Sequence, residues 1–402
     1  MIRFGNNFSG RLLFFFLSGL LLQLGPCTDR VCGQSKVTGQ FIFLPDSLRH
    51  GHTHGSSIVE CPNGDLLACW YEGKTDRSSD VHIEAARWLK GKGRWGDTFL
   101  LADTPTLSDN NPCLIVDRTK RLWLFYYTLL GSPEQAWETA YLRYKTSSQY
   151  QKQGQPIRWD EEKDLPVRVP DLDETVNKLC AQADRIGADA EEICRQARQH
   201  LSIPLDRRLG WTTRARPIFL RSGELVLPMA SEIFNVATMA ITSDQGHSWT
   251  FARSPLGYGV GQPTVFEKND DTLAAYFRDG SSLHRIRRSE SADGGKTWSE
   301  IKATDLPNPD SGLEVLRLAS GNVVLIYNDV EQDPRCRLAV SLSQDEGKTW
   351  PYTRYLENST TGRFDYPSII QARDGRLHAS YSYNVQTIKH VIFSEAWLLG
   401  KN

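Results

Sequence analysis

One octet occurs three times. Thr242-Ser-Asp-Gln-Gly-His-Ser-Trp249, Ser291-Ala-Asp-Gly-Gly-Lys-Thr-Trp298 and Ser343-Gln-Asp-Glu-Gly-Lys-Thr-Trp350 all fit S/T-x-D-x-G-x-S/T-W, with tryptophans 49 and 52 residues apart. Near-constant spacing of this size means a repeat architecture, and it constrains the fold more than any other feature. Each octet reads as a compact turn. The Asp accepts bonds from backbone amides, the Gly takes a conformation closed to other residues, and the Trp plugs the core.

A second repeat keeps register with the first. Pairs of short strands joined by polar turns recur six times, around Gly64, Lys120, Gly223, Asp271, Gly321 and Gly375. The flanking runs are rich in β-branched and aromatic residues and are bounded by Gly, Asp and Asn, as strands are. Eroded octets end at Trp95 and Trp159. The expected fold is all-β: a six-bladed β-propeller of four-stranded blades, the last closed by an N-terminal strand near Gln40 to Leu44. Eleven Trp, 14 Tyr and 31 Gly suit such a fold. With 40% hydrophobic and 24% charged residues, disorder and collagen-like structure are excluded. A net charge of −1 gives no bulk attraction for a polyanion such as nucleic acid.

Two segments fall outside the repeat. Residues 1–33 read as a secretion signal: Arg3 and Arg11 precede an apolar run, Leu12 to Gly25, too short for a membrane span, and Val31-Cys32-Gly33 offers small residues before a cut at Gln34. The mature domain is then 34–402, secreted or periplasmic, with no membrane span. Asn358-Ser-Thr360 is a glycosylation sequon.

Residues 160–209 read as a helical insertion. Asp173 caps a helix from Glu174 to Ile186, Gly187 stops it, and Asp189 with Glu192 forms a capping box for a second helix to about His200. In an antiparallel hairpin Cys180 and Cys194, each seven residues from Gly187, lie opposite one another. A continuous helix would hold them about 21 Å apart. A hairpin with a Cys180–Cys194 disulfide is therefore expected, either rimming one face of the funnel or decorating the propeller's side. Cys61 and Cys69 flank the Asn63-Gly64 turn, with Cys61 facing Leu66, and make poor partners. There is no CxxC pair to bind zinc.

In a propeller, the open ends of the innermost strands line one funnel. The residues before each hairpin's first strand are Gly55 (beside His54), Asn111, Arg216, Gln262, Gly312 and Tyr366. Those ending the second strands are Glu72, Tyr127, Glu232, Arg278, Asn328 and Tyr383. Such polar convergence fits a hydrophilic ligand, and arginine favours a carboxylate.

The octets resemble the Asp boxes, or bacterial neuraminidase repeats, of the sialidase superfamily, and the hairpins resemble its six-bladed propeller over essentially all of the mature chain. Sialidases hold the sugar carboxylate with three arginines, use a Tyr–Glu pair as nucleophile and an Asp as acid/base. By this resemblance Tyr366, in Asp365-Tyr-Pro-Ser-Ile369, stands at the nucleophile's place. Arg278, in Tyr276-Phe-Arg-Asp-Gly280, and Arg335 match the second and third arginines. Two positions depart from the pattern. His54, in His52-Thr-His-Gly-Ser-Ser-Ile58, replaces the first arginine, and Gln262 replaces the nucleophile's Glu. A neutral Gln262 cannot activate a tyrosine whose ordinary pKa is about 10, which brings Glu232 forward as the base.

The candidate catalytic residues are thus Tyr366, Glu232, His54 and Asp80, whose loop also carries Asp76. The candidate substrate contacts are Arg278, Arg335, Arg216, Gln262, Asn111 and His52. His52 and His54 share one side of a strand and, with His50, invite a metal, but no carboxylate pattern completes a site; neither metal nor cofactor is expected. The resemblance implies a glycosidase removing a terminal acidic sugar, sialic acid by default, from a glycan or oligosaccharide. Two alternatives use the same propeller. One is a polysaccharide lyase or uronic-acid-directed glycosidase with His54 and Tyr366 as base and acid. The other is a non-catalytic carbohydrate-binding propeller.

Overall fold

A computed structural model describes residues 37–45, 51–132, 137–182 and 190–401. The secretion signal with Arg3 and Arg11, the cut at Gln34, and His50, Gly187 and Asp189 lie outside them.

Six antiparallel sheets follow one another along the chain and form the six blades. Blade 1 comprises His52–Glu60, Leu66–Gly73, His82–Leu89 and Arg94–Ala102. Blade 4 comprises Val260–Glu267, Leu273–Asp279, Arg285–Ser291 and Lys302–Pro307. Thr38–Phe41 pairs with Thr387–Phe393 and supplies the outer strand of blade 6, so the two ends of the domain close the ring together.

The alternation of the strands explains the ring. Successive side chains point to opposite faces, and a blade is covered on both. Leu67 and Cys69 face blade 2, while Leu66, Ala68 and Trp70 face blade 6. Each of the six junctions holds its own apolar cluster. Truncating a fully buried residue such as Leu67 to Ala costs about 2–5 kcal/mol.

The octets close the third and fourth strands as expected. Asp345 accepts from the amides of Lys348 and Thr349 at 3.1 and 2.9 Å and from the hydroxyls of Ser343 and Thr349 at 2.7 and 2.6 Å. This bonding holds its carboxyl down at about 2 against the opposing effect of burial. Gly347 has φ +77° and accepts the Tyr276 hydroxyl of blade 4 on its carbonyl at 2.8 Å. A Cβ there would strike that hydroxyl, so the glycine serves both the turn and the docking of blade 5 on blade 4.

Blade 3 is irregular. Its inner strand is split into Trp211–Thr212 and Ile218–Phe219, both paired with Leu225–Ser231. The insertion before it is shorter than expected, because Glu161–Asp164 is the outer strand of blade 2. Helix α1 spans Leu172–Cys180 and helix α2 Ala190–Leu201. Helix α1 starts two residues before Glu174, at a point where burial of Leu172 is gained. Its N-cap is Asp171, whose carboxylate accepts from the Ser254 amide, and Asp173 instead binds Arg207. Glu192 bonds to Arg195 and Gln196 one turn on.

The disulfide Cys180–Cys194 joins the two helices with Cα atoms 5.6 Å apart. Leu172, Val176 and Leu179 share the cluster of blades 2 and 3 with Phe234 and Val236, which anchors the hairpin there. Cys61, Cys69, Cys113 and Cys336 are buried thiols. Glu60, and not Cys61, faces Leu66, since the turn begins one residue earlier than the pattern suggests.

Candidate active site

In four blades the inner strand opens with a bulge. The register skips between His54 and Ser57, Asn110 and Cys113, Gly261 and Thr264, and Asp365 and Ser368. Each bulge holds one left-handed residue: Gly55 (φ +66°), Asn111 (+45°), Gln262 (+42°) and Tyr366 (+49°). For the three with side chains this costs of order 1–3 kcal/mol each and concentrates strain at the centre of the ring.

Tyr366 is the focus. Its hydroxyl oxygen accepts from Arg278 Nη1 at 3.0 Å and from Gln262 Nε2 at 3.3 Å. The His54 ring meets the Tyr366 ring edge to face at 4.3 Å. Gly312 leaves the space the tyrosine needs, as a Cβ there would lie 2.6 Å from Tyr366 Cδ1. Arg278 also binds Asp310 Oδ1 through Nε at 2.6 Å. Burial opposes its charge, but Tyr366, Asp310 and Glu232 hold it firmly protonated. Burial likewise opposes the Asp310 carboxylate, and Arg278 outweighs it and keeps the carboxyl below its usual range.

Glu232 opens onto the funnel, so water reaches its side chain. The crowding of protein around it still pushes its carboxyl up, against the pull of Arg278. Thr212 donates to it at 3.2 Å. Asn111 donates to the Tyr127 hydroxyl at 2.8 Å and forms the wall beside Gly55.

Several expected residues have other tasks. His54 has Nδ1 on Ser382 Oγ at 2.9 Å and Nε2 4.0 Å from Asp365, so neither nitrogen faces the Tyr366 hydroxyl. Burial first, then the charges of His52, Arg363, Arg214 and Arg335, hold its pKa far below the usual value and keep it neutral. His52 is also lowered by burial, which Asp76 partly offsets. Arg335 is only 9% exposed: Nη1 donates to Asp365 at 3.3 Å and Nη2 to the Asp310 carbonyl at 2.7 Å, while Nε lies 3.4 Å from Asp333 without a hydrogen bond. Two of its nitrogens thus brace the site through Asp365 and Asp310. Arg216 turns to Glu314, which takes its amide at 3.1 Å. The arginine that blade 3 sends under Tyr366 is Arg214, with its guanidinium 4.8 Å from the ring centroid.

Asp80 accepts from the Lys74 amide of its own loop at 3.4 Å. Asp76 is the carboxylate of that loop whose field reaches His52 and Tyr71. Asn328 donates to the Phe364 carbonyl at 2.8 Å, and Tyr383 packs on Phe41 and Phe364; neither reaches Tyr366.

A separate cluster in blade 1 joins Glu72, His82 and Glu84, with donor atoms within 4.8 Å of one another. There the Glu84 hydrogen bond, opposed by burial, raises His82 to about 9, so the cluster carries its own cation.

The BNR repeat-like domain profile matches residues 64–176 and 204–379. The chain belongs to this family. Among curated relatives, a sialidase of Micromonospora viridifaciens is 25% identical over 173 residues, 41% of this chain and 26% of that protein. An anhydrosialidase of Macrobdella decora is 22% identical over 205 residues, 45% of this chain and 26% of that protein. The match thus spans about a quarter of either relative's length.

Among solved structures, the Hadza microbial sialidase Hz136 superposes with a TM-score of 0.66 at 16% identity, over 90% of this chain and 69% of that one. A Dyadobacter fermentans protein of unknown function gives 0.65 at 15% identity, over 89% and 99%. The fold is that of a sialidase-type propeller, as the octets imply.

Proposed function

We propose that the chain is an exo-acting glycosidase of sialidase type that releases a terminal acidic sugar from glycans, with Tyr366 forming the bond to the sugar. The observation that carries this reading is the pair of donors, Arg278 Nη1 and Gln262 Nε2, on the Tyr366 oxygen. Two donors leave the hydroxyl proton to point into the funnel. Negative charge that develops on the oxygen as the proton leaves is met by a fixed guanidinium, which favours the transition state.

Tyr366 Oη attacks the anomeric carbon and gives its proton to the funnel, where Glu232 is the base. The glycosidic oxygen leaves with a proton from Asp76, the acid of the neighbouring loop. Water then attacks the anomeric carbon and gives a proton back to Asp76, the sugar–tyrosine bond breaks, and Glu232 returns its proton to the Tyr366 oxygen. The substrate carboxylate exchanges with Asp310, which is 51% exposed, on the guanidinium of Arg278. His52 and Asn111 line the wall beside it.

Because Arg335 is already paired and His54 is neutral, the carboxylate is held by Arg278 mainly. A weak hold on acidic sugars follows. The disulfide and the expected secretion signal support export of the mature domain. The test is release of a fluorogenic aglycone from an α-sialoside. Turnover in the parent that Arg278→Ala lowers, chiefly through KM, supports the reading. No turnover overturns it, and an unsaturated product absorbing in the near ultraviolet from a uronate polysaccharide replaces it with the lyase.

A further inference from the structure

Beneath Tyr366 lies a cation that neither repeat predicts. Arg214 occupies the break in the inner strand of blade 3 and is 2% exposed. It donates through Nη2 to the Pro367 carbonyl at 3.0 Å and through Nη1 to the Ser56 carbonyl at 3.4 Å. Ser56 follows the left-handed Gly55 and Pro367 follows the left-handed Tyr366. One planar fork therefore ties the bulge of blade 1, which carries His54, to the bulge of blade 6, which carries Tyr366.

The charge itself needs explanation. Arg278 and Arg335 each have a carboxylate partner, whereas Arg214 forms no ion pair among the described residues and its Nε has no hydrogen-bond acceptor. A buried guanidinium without a counter-ion costs several kcal/mol, and two carbonyls alone do not offset that. What faces the guanidinium is the π-face of Tyr366, 4.8 Å away.

We propose that Arg214 is the positioning residue of this site: it fixes the two strained bulges in one geometry and lays a positive charge under Tyr366 that is complemented when the tyrosine oxygen becomes negative. The electrostatic half of this proposal rests on the reading of Tyr366 as the reacting residue; the geometric half does not.

The test uses the full mature chain with Arg214→Met and Arg214→Lys. With the parent's substrate, Arg214→Met lowers kcat on the order of 100-fold while KM stays within about threefold, the pattern of an interaction realised in the transition state. Arg214→Lys keeps the charge without the fork and recovers part of kcat.

A second readout needs no substrate. The titration of His54 by NMR, which burial, His52, Arg363 and Arg335 also shape, moves upward in Arg214→Met and not in Arg214→Lys. Unchanged kcat in Arg214→Met overturns the proposal. So does an equal loss of melting temperature and activity in both variants with the His54 titration unmoved, since that marks a purely structural arginine. A parent inactive on every glycan removes the reading of function, and the His54 titration then decides the role of Arg214 alone.

Discussion

Acid should loosen the seam between blades 6 and 1, and the cause is a chain of three rings. Trp95 Nε1 donates to His390 Nδ1 at 3.2 Å, and His390 Nε2 lies 3.0 Å from His378 Nδ1. Since the indole can only donate, neutral His390 carries its proton on Nε2 and gives it to His378. A further proton on either imidazole sets two N–H groups against each other.

Burial, helped by Arg376, lowers His378 from the ordinary 6.5 to about 4. His390, also buried, is lowered too. The unfolded chain thus takes the proton first. Stability is lost as pH falls through 6.5, and the loss is complete near pH 4. For His378 alone, linkage gives about 2 kcal/mol lost between pH 7.5 and pH 5 and about 3 kcal/mol by pH 4.

The assay is urea unfolding of parent and His378→Gln at pH 7.5, 6 and 5. A glutamine keeps an acceptor for His390 but does not titrate. The parent should lose about 2 kcal/mol more than the variant between the extremes. Parallel pH profiles would show that the pair does not hold its neutral form at this seam, and the reasoning would fail.

Three further outcomes follow from the site and its scaffold. Asp310→Asn removes the carboxylate that competes for Arg278 and should tighten binding of free sialic acid, read by calorimetry, about fivefold or more; weaker binding would contradict the exchange of carboxylates. Gly312→Ala places a Cβ 2.6 Å from Tyr366 Cδ1, so the ring must move by nearly 1 Å; kcat should fall about 100-fold with little change in melting temperature, and an unaffected kcat would show that the ring's position is not limiting. Asp345→Ala removes the acceptor of four hydrogen bonds in an exposed turn and should lower stability by about 1–3 kcal/mol without altering the funnel, as measured by denaturant unfolding.

The repeat was legible because its determinants are local. An Asp that bonds amides three and four residues on, followed by a left-handed Gly, is written within one octet, and six polar turns mark six hairpins. Tyr366, Gln262 and Arg278 were legible for the same reason: each stands at a strand end that the hairpins locate.

Arg214 was hidden because the inner strand of blade 3 breaks around it, and in irregular backbone the alternation of side chains no longer tells inside from outside. That is why the pattern pointed to Arg216, two residues on, which serves Glu314 instead. Asp310 lies between blades at φ +54°, outside any strand. The part played by Arg335 depends on Asp365 and Asp333, contacts between segments that no spacing expresses. Asp76 and Asp80 share one loop, and only the fold of that loop sorts them.

The most direct test of the central claim is sugar release from a panel of sialylated glycans and uronate polysaccharides by the mature chain and by Tyr366→Phe, followed by mass spectrometry of the products. The account predicts that the parent frees a terminal acidic sugar from at least one of them and that loss of the single Tyr366 oxygen lowers that rate on the order of 100-fold or more. Equal release by parent and Tyr366→Phe would contradict it.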